Sequence, residues 1–353
     1  MKKKLKIIGI SFLILLLLLI ASPFIFQNQI KDLVKNFINN NVNAKVEFND
    51  VDLSFIRSFP QANVTLDNLV ITNFEPFKND TLASVKQLSL DMSVKELFKT
   101  ASEDPIIVNS INVDDALINL KTNKDGQVNW DIAKENTNNT SSDTSNSDGF
   151  AFDIENYSIN NSTFNYIDES ANTLIKVTNI NHTGNGIFSG DTSQLDTKTE
   201  ANVTFSLDST EYLSNNLIKL DALIDLDIPN QTYTFKDNEG FVNDLPLQFK
   251  GYVKQLEDGQ EIDISFENPG SSFKEFLAVI PKTYAKNLDN VNTTGNFKVN
   301  GIIKGKVTEE TIPTLDINIL SDNASFKFAD LPKRVENINI NAQIKNETGL
   351  VDD

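Results

Sequence analysis

The sequence predicts a mainly β protein carried behind a single N-terminal apolar helix. Three observations carry this prediction. From Ala44 almost to the end, apolar and polar residues alternate with a period of two. Within that region one spacing of apolar residues recurs several times. Ahead of it, about 20 nearly uninterrupted apolar residues run from Ile7 to Phe26.

The apolar run follows lysines at positions 2, 3, 4 and 6. It is long enough to cross a hydrocarbon core of about 30 Å as a helix, and the lysines orient its N-terminus to the cytoplasm. A cleaved signal peptide has a shorter apolar stretch and a small-residue cleavage site, whereas here Leu19 and Ile20 precede Ala21-Ser22-Pro23. Residues 1–26 are therefore expected to be an uncleaved anchor, with the rest of the chain outside the cytoplasm. Residues 27–40 place Ile30, Leu33, Val34, Phe37 and Ile38 at helical spacing, which predicts an amphipathic helix.

Two β segments follow, 41–134 and 150–353, separated at 135–149 by an Asn/Ser/Thr-rich stretch with almost nothing apolar to bury. In the first segment Val46, Phe48, Val51, Leu53 and Phe55 are spaced 2, 3, 2, 2. Ile111, Val113, Ala116, Ile118 and Leu120 repeat the pattern, as do Tyr157, Ile159, Ser162, Phe164 and Tyr166 at the start of the second segment. A shorter copy runs Val64, Leu66, Leu69, Ile71. The step of three always spans an Asn/Asp pair: Asn49-Asp50, Asp67-Asn68, Asp114-Asp115 and Asn160-Asn161. Such residues tolerate left-handed φ, so each pair is expected to be a tight hairpin or sharp corner. Asp125-Gly126 predicts a type I′ hairpin that pairs the strand of Ala116, Ile118 and Leu120 with that of Val128, Trp130 and Ile132.

The second segment contains the clearest strand. Ile218, Leu220, Ala222, Ile224, Leu226 and Ile228 alternate with Lys219, Asp221, Asp225 and Asp227, so one face only can be buried. One helix is expected to interrupt the strands at Ser271–Ile280, with a serine N-cap and Pro281 beyond its end.

Composition narrows the function. With 49 acidic and 31 basic residues the formal charge is −18, so a nucleic-acid partner is not expected. The chain has no cysteine and one histidine, His182. This removes thiolate chemistry and most zinc and serine-hydrolase constellations, and neither an enzymatic role, a metal site nor a cofactor is expected. What remains is a large amount of one-sided apolar β surface, which either seals on itself or stays open to an apolar ligand.

Several stretches together resemble AsmA-family envelope proteins: the anchor and amphipathic helix, VDLSF at 51–55, DGQVNW at 125–130, ENYSINNSTFNYID at 155–168, VIPKTYAKNLDNVNTTGNFKVNGIIKG at 279–305 and ASFKFADLPKRVENINI at 324–340. Gly126, Asn129 and Trp130 form the sharpest element. The resemblance implies a bacterial inner-membrane protein, single-pass, with an elongated, twisted, mostly antiparallel periplasmic β-groove related to bridge-like lipid transfer proteins. It implies phospholipid passage or outer-membrane assembly as the role, with phospholipid, the inner membrane and outer-membrane assembly proteins as partners, and it supplies no catalytic residue. Such relatives continue further, so the second segment is expected to be incomplete at its C-terminus. The residues expected to line the groove are Phe55, Ile118, Phe164, Leu220, Ile224, Phe249, Phe297 and Phe326. The other reading is a scaffold that binds assembly partners through sheet edges and carries no lipid.

Overall fold

Why the chain forms strands is visible in the sequence itself: runs of 11 to 19 residues rich in Ile, Val, Thr and Phe, punctuated by Asn, Asp and Gly. The computed structural model describes residues 31–349 apart from 33, 37, 39, 55–60, 99–105, 135–149, 187–190, 209, 281–290, 309–310, 329–331 and 347–348. The expected anchor, the start of the amphipathic helix and the Asn/Ser/Thr-rich stretch at 135–149 lie outside the described residues. No described helix is long and apolar enough to cross a membrane. The described chain is mainly β with few helices. It divides into two compact units, Met1–Asn165 and Tyr166–Asp353.

In unit 1, helical residues between 31 and 41 (α1) precede β1 (Ala44–Glu47), β2 (Asp50–Ser54), β3 (Gln61–Asn73), β4 (Thr81–Ser93), a 3-10 turn (Val94–Phe98), β5 (Ile106–Thr122) and β6 (Phe150–Asp168), whose last residues pass into unit 2. β1 and β2 pair with β3 in one continuous register, Glu47 opposite Val70 and Asp50 opposite Asp67, so Asn49-Asp50 is a corner within one line of pairing. β3 pairs with β4 and β4 with β5, all antiparallel.

The other Asn/Asp pairs behave differently from expectation. Asn68, Asp115 and Asn161 have φ of 54°, 51° and 46°, yet each lies inside an unbroken strand. A single left-handed residue re-phases the alternation without turning the chain back; the register runs unshifted past Asn68 and Asp115, so neighbouring strands step together and keep their apolar residues on one face. Spacing alone reads the same for a corner and for such a kink within a strand.

β5 and β6 are the second departure. Asn112–Ser158, Asp114–Asn160, Asp115–Asn161 and Asn119–Asn165 are joined by side-chain hydrogen bonds, and the Ala116 N–H donates to Ser162 Oγ. Every one of these pairs is 46 positions apart, and a constant offset means parallel strands, since antiparallel neighbours have a constant sum. Two of the three full copies of the 2, 3, 2, 2 spacing, at 111–120 and 157–166, therefore lie side by side in register. The connection between them is long enough for the parallel crossover that a tight turn cannot make.

Unit 2 is an antiparallel succession: β7 (Thr173–Asn185), β8 (Thr192–Leu207), β9 (Thr210–Asp227), β10 (Thr232–Val242), β11 (Leu245–Leu256), β12 (Gly259–Glu267), β13 (Ser271–Ser272), β14 (Val291–Thr294), β15 (Asn296–Val307), β16 (Thr314–Phe328) and β17 (Val335–Lys345). Each of β7 to β11 pairs with the next, β12 pairs with β15, and β15, β16 and β17 follow in turn. A one-and-a-half-turn helix, α2 (Phe273–Leu277), carries a full capping box: the Glu275 N–H donates to Ser272 Oγ and the Ser272 N–H donates to the Glu275 carboxylate. The N-cap is thus Ser272, one residue later than the helix expected from Ser271, and the helix ends before Ile280.

Candidate functional site

Residues directly opposite on neighbouring strands project to the same side, so the register traces each face of unit 2. One row runs Leu195, Ile224, Phe235, Gly251, Ile264, Ile303, Leu315 across seven strands. The row beside it runs Phe249, Phe266, Gly301, Ile317, Ile344. Leu226, Tyr233, Val253 and Ile262 form a third on the other flank. No charged side chain occupies these positions. The two glycines are sites of close approach: a Cβ on Gly251 would run into the Asp263 carbonyl, and one on Gly301 would meet the Phe266 ring at 2.6 Å.

The opposite side of the same strands is ionic. Lys198–Asp221 (3.0 Å), Lys219–Glu200 (3.7 Å), Lys250–Asp237 (3.4 Å), Lys304–Asp263 (2.5 Å) and Lys236–Asp225 join neighbouring strands there. Hydrogen bonds from Lys236 and then Gln194 hold the Asp225 carboxyl below the usual carboxylate range. Exposed pairs of this kind contribute little stability, but they make that face a wet one.

The apolar face is incompletely covered. Ile224, Phe235, Phe249, Ile264, Ile303, Leu315 and Ile317 are all half-buried, and Tyr233 and Ile344 are exposed. Among the described residues, the helix packed on unit 2 is α2. It seals one end: Phe276 stacks on Phe297 at 4.1 Å, Phe273 lies tilted against Phe276 at 5.7 Å, and Asn243 Nδ2 donates to the Ala278 carbonyl just past the helix. A concavity of about 480 Å³ lies elsewhere, lined chiefly by ionic-face residues such as Asp237, Lys250, Asn300 and Asp316. We place the candidate site on the apolar face, because the concavity gathers no set of groups suited to a reaction.

In unit 1 the same tracing gives Val46, Ile71, Ala83, Ile118 in one row and Val51, Leu66, Leu88, Val113 in another. At the offset of 46, Phe164 and Ile159 extend these rows on β6. Burial is graded along them. Val51, Leu53, Val64 and Leu66 are buried, on the side where Lys31 of α1 bonds Asp50 at 3.2 Å and Val34 is buried. Toward β5 and β6 the face opens, Phe164 being half-buried and Ile118 exposed.

The expected groove residues thus divide. Ile118 and Phe164 share the open part of unit 1, and Leu220, Ile224 and Phe249 share the face of unit 2, with Phe249 against Phe235 at 5.7 Å. Phe297 is 2% exposed beneath α2, which the sequence did not reveal because nothing local ties that helix to a strand 20 residues later. Phe326 lies beyond a bulge at Asn323, edge-on to Phe328. Phe55 lies outside the described residues. His182 is paired with Thr199 Oγ1 at 2.8 Å inside β7, and burial lowers its pKa. No group of three or more metal-ligating side chains occurs among the described residues.

The Gly126, Asn129, Trp130 element is built differently from the expected hairpin. Only Gly126 has positive φ, 76°, so the turn is not type I′. Asn123 closes a wider loop, its Oδ1 accepting from the Asp125 and Gln127 N–H groups. One bridge, Thr122 to Val128, is all that pairs the two arms. Residues 128–134 then leave β5 as a strap that reaches the end of α1, where Val42 bridges Ala133 and the Asn43 N–H donates to Ile132. Asn129 is the rivet, 3% exposed: its Oδ1 accepts from the Lys121 N–H, its Nδ2 donates to the Asn119 carbonyl, and its own carbonyl accepts from Asn73 Nδ2.

A family model for the AsmA family matches residues 1–236. The chain belongs to the AsmA family. The match takes in all of unit 1, with the strap and the parallel pair, and unit 2 into β10. No curated protein and no solved structure matches this AsmA-family chain. A long, open β-sheet surface in a member of this family fits an envelope or lipid-transfer role.

Proposed function

We propose that this protein is a non-enzymatic, single-pass inner-membrane protein whose periplasmic strands move phospholipid by letting acyl chains lie along the apolar face. The observation that supports this reading is the half-buried row from Ile224 to Leu315, one side of a sheet whose other side is ionic. Completing the burial of an aliphatic side chain is worth up to about 1.5–3 kcal/mol, so a face left half-covered has free energy to gain from an apolar ligand. Each acyl CH₂ it shields contributes about 0.8 kcal/mol. A face without charged side chains offers no strong head-group site, which favours sliding over trapping.

The test is to purify the full chain in mild detergent and identify bound lipid by mass spectrometry. Phospholipid at one or more molecules per chain is expected, falling at least threefold in an Ile224→Asp, Ile264→Asp variant that keeps its β circular dichroism. Lipid-free protein, or equal lipid in the folded variant, would contradict the reading and favour the scaffold.

A further inference from the structure

Two buried asparagines hold two exposed aromatic rings at one end of unit 1. Asn73 is 5% exposed and precedes Phe74, which is 51% exposed; Asn129 is 3% exposed and precedes Trp130, which is 37% exposed. Asn73 Nδ2 donates to the Asn129 carbonyl at 2.6 Å, so the β3–β4 loop and the strap each carry their aromatic residue one position from a shared joint. The joint is stiff. Asn129 is held on three further bonds to β5, and Asn73 also takes part in backbone bonds with Asp80 and Asn79 that close its loop. An exposed apolar side chain is unremarkable when isolated, but buried polar groups spent on displaying two of them point to a surface that is used.

Charge indicates the partner. The chain as a whole carries −18, a balance that anionic surfaces repel. The two segments that carry the rings are close to balance: Glu75, Asp80, Asp125 and Asp131 against Lys78, Lys124 and Lys134, with Lys121 beside them near the end of β5. A near-neutral tip with a tryptophan and a phenylalanine suits the boundary between head groups and acyl chains, where an indole keeps its N–H wet and its ring in the apolar layer. We infer that Phe74 and Trp130 form a membrane-contact tip that inserts shallowly into a phospholipid bilayer surface. This is independent of whether unit 2 carries lipid.

Trp130 is the only tryptophan, so its emission reports on this tip alone. The full chain is reconstituted into phosphatidylcholine vesicles with and without bromine on the acyl chains. The inference expects at least a twofold loss of emission in the brominated vesicles. More than half of that loss should disappear in Phe74→Ser and be kept in Phe74→Tyr. Emission equal in both vesicle types overturns it, as does quenching that Phe74→Ser leaves unchanged, since a lipid reaching Trp130 by another route would not depend on the neighbouring ring.

Discussion

Asn129 shows how much one side chain can hold. Truncating it to alanine leaves the Lys121 N–H and the Asn119 carbonyl without their partners in a buried joint. Each unmet group costs about 1–3 kcal/mol, so Asn129→Ala should lower the unfolding midpoint of unit 1 clearly, followed through Trp130 emission; an unchanged midpoint would mean that the strap is not part of the cooperative unit. The left-handed asparagines give a second test at this scale. Asn161 has φ 46°, a conformation that costs a β-branched residue roughly 1–2 kcal/mol and glycine almost nothing. Asn161→Val should therefore destabilise and Asn161→Gly should not, as read by chemical denaturation. His182 supplies a pH dependence. Its pKa is lowered by burial, so the folded state disfavours the proton. The stability this represents is present above the ordinary histidine range, about 6.5, and is lost as pH falls through the lowered value. Melting scans of wild type and His182→Gln should converge toward low pH; parallel curves would place the titration elsewhere.

At the scale of elements, the strands were legible and their bends were not. Strict alternation in β9 announced one apolar and one ionic side, and the register confirms Ile224 and Asp225 on opposite faces. The same logic failed at Asp114-Asp115 and Asn160-Asn161, because a spacing of three fits both a corner and a left-handed kink inside a continuous strand, and only the strand's continuity separates them. The repeat itself held more than was read from it: an offset of 46 between its copies is the parallel register of β5 and β6, visible in the numbering but meaningful only once the strands are known to be neighbours. α2 was found from its capping serine and apolar spacing, yet its seat on Phe297 is a long-range contact with no local signal. Because a Phe→Ala change in a packed contact costs about 3–5 kcal/mol, Phe276→Ala should release α2 while β8 to β12 persist. Hydrogen exchange should then quicken at the amides of 273–278 and at Phe297 and remain slow in β9; uniform quickening would show that the helix supports the whole sheet.

At the scale of the molecule, family membership and an open one-sided sheet both fit an envelope or lipid-transfer role. The account needs the apolar face to be accessible in the working protein. Site-specific photocrosslinking in cells asks this directly, with the probe at Ile224 on the apolar face and at Asp225 on the ionic face. The account predicts phospholipid captured from 224 and none from 225. Capture at 224 of this chain's own residues alone would show the face sealed, and lipid transfer along it would have to be abandoned.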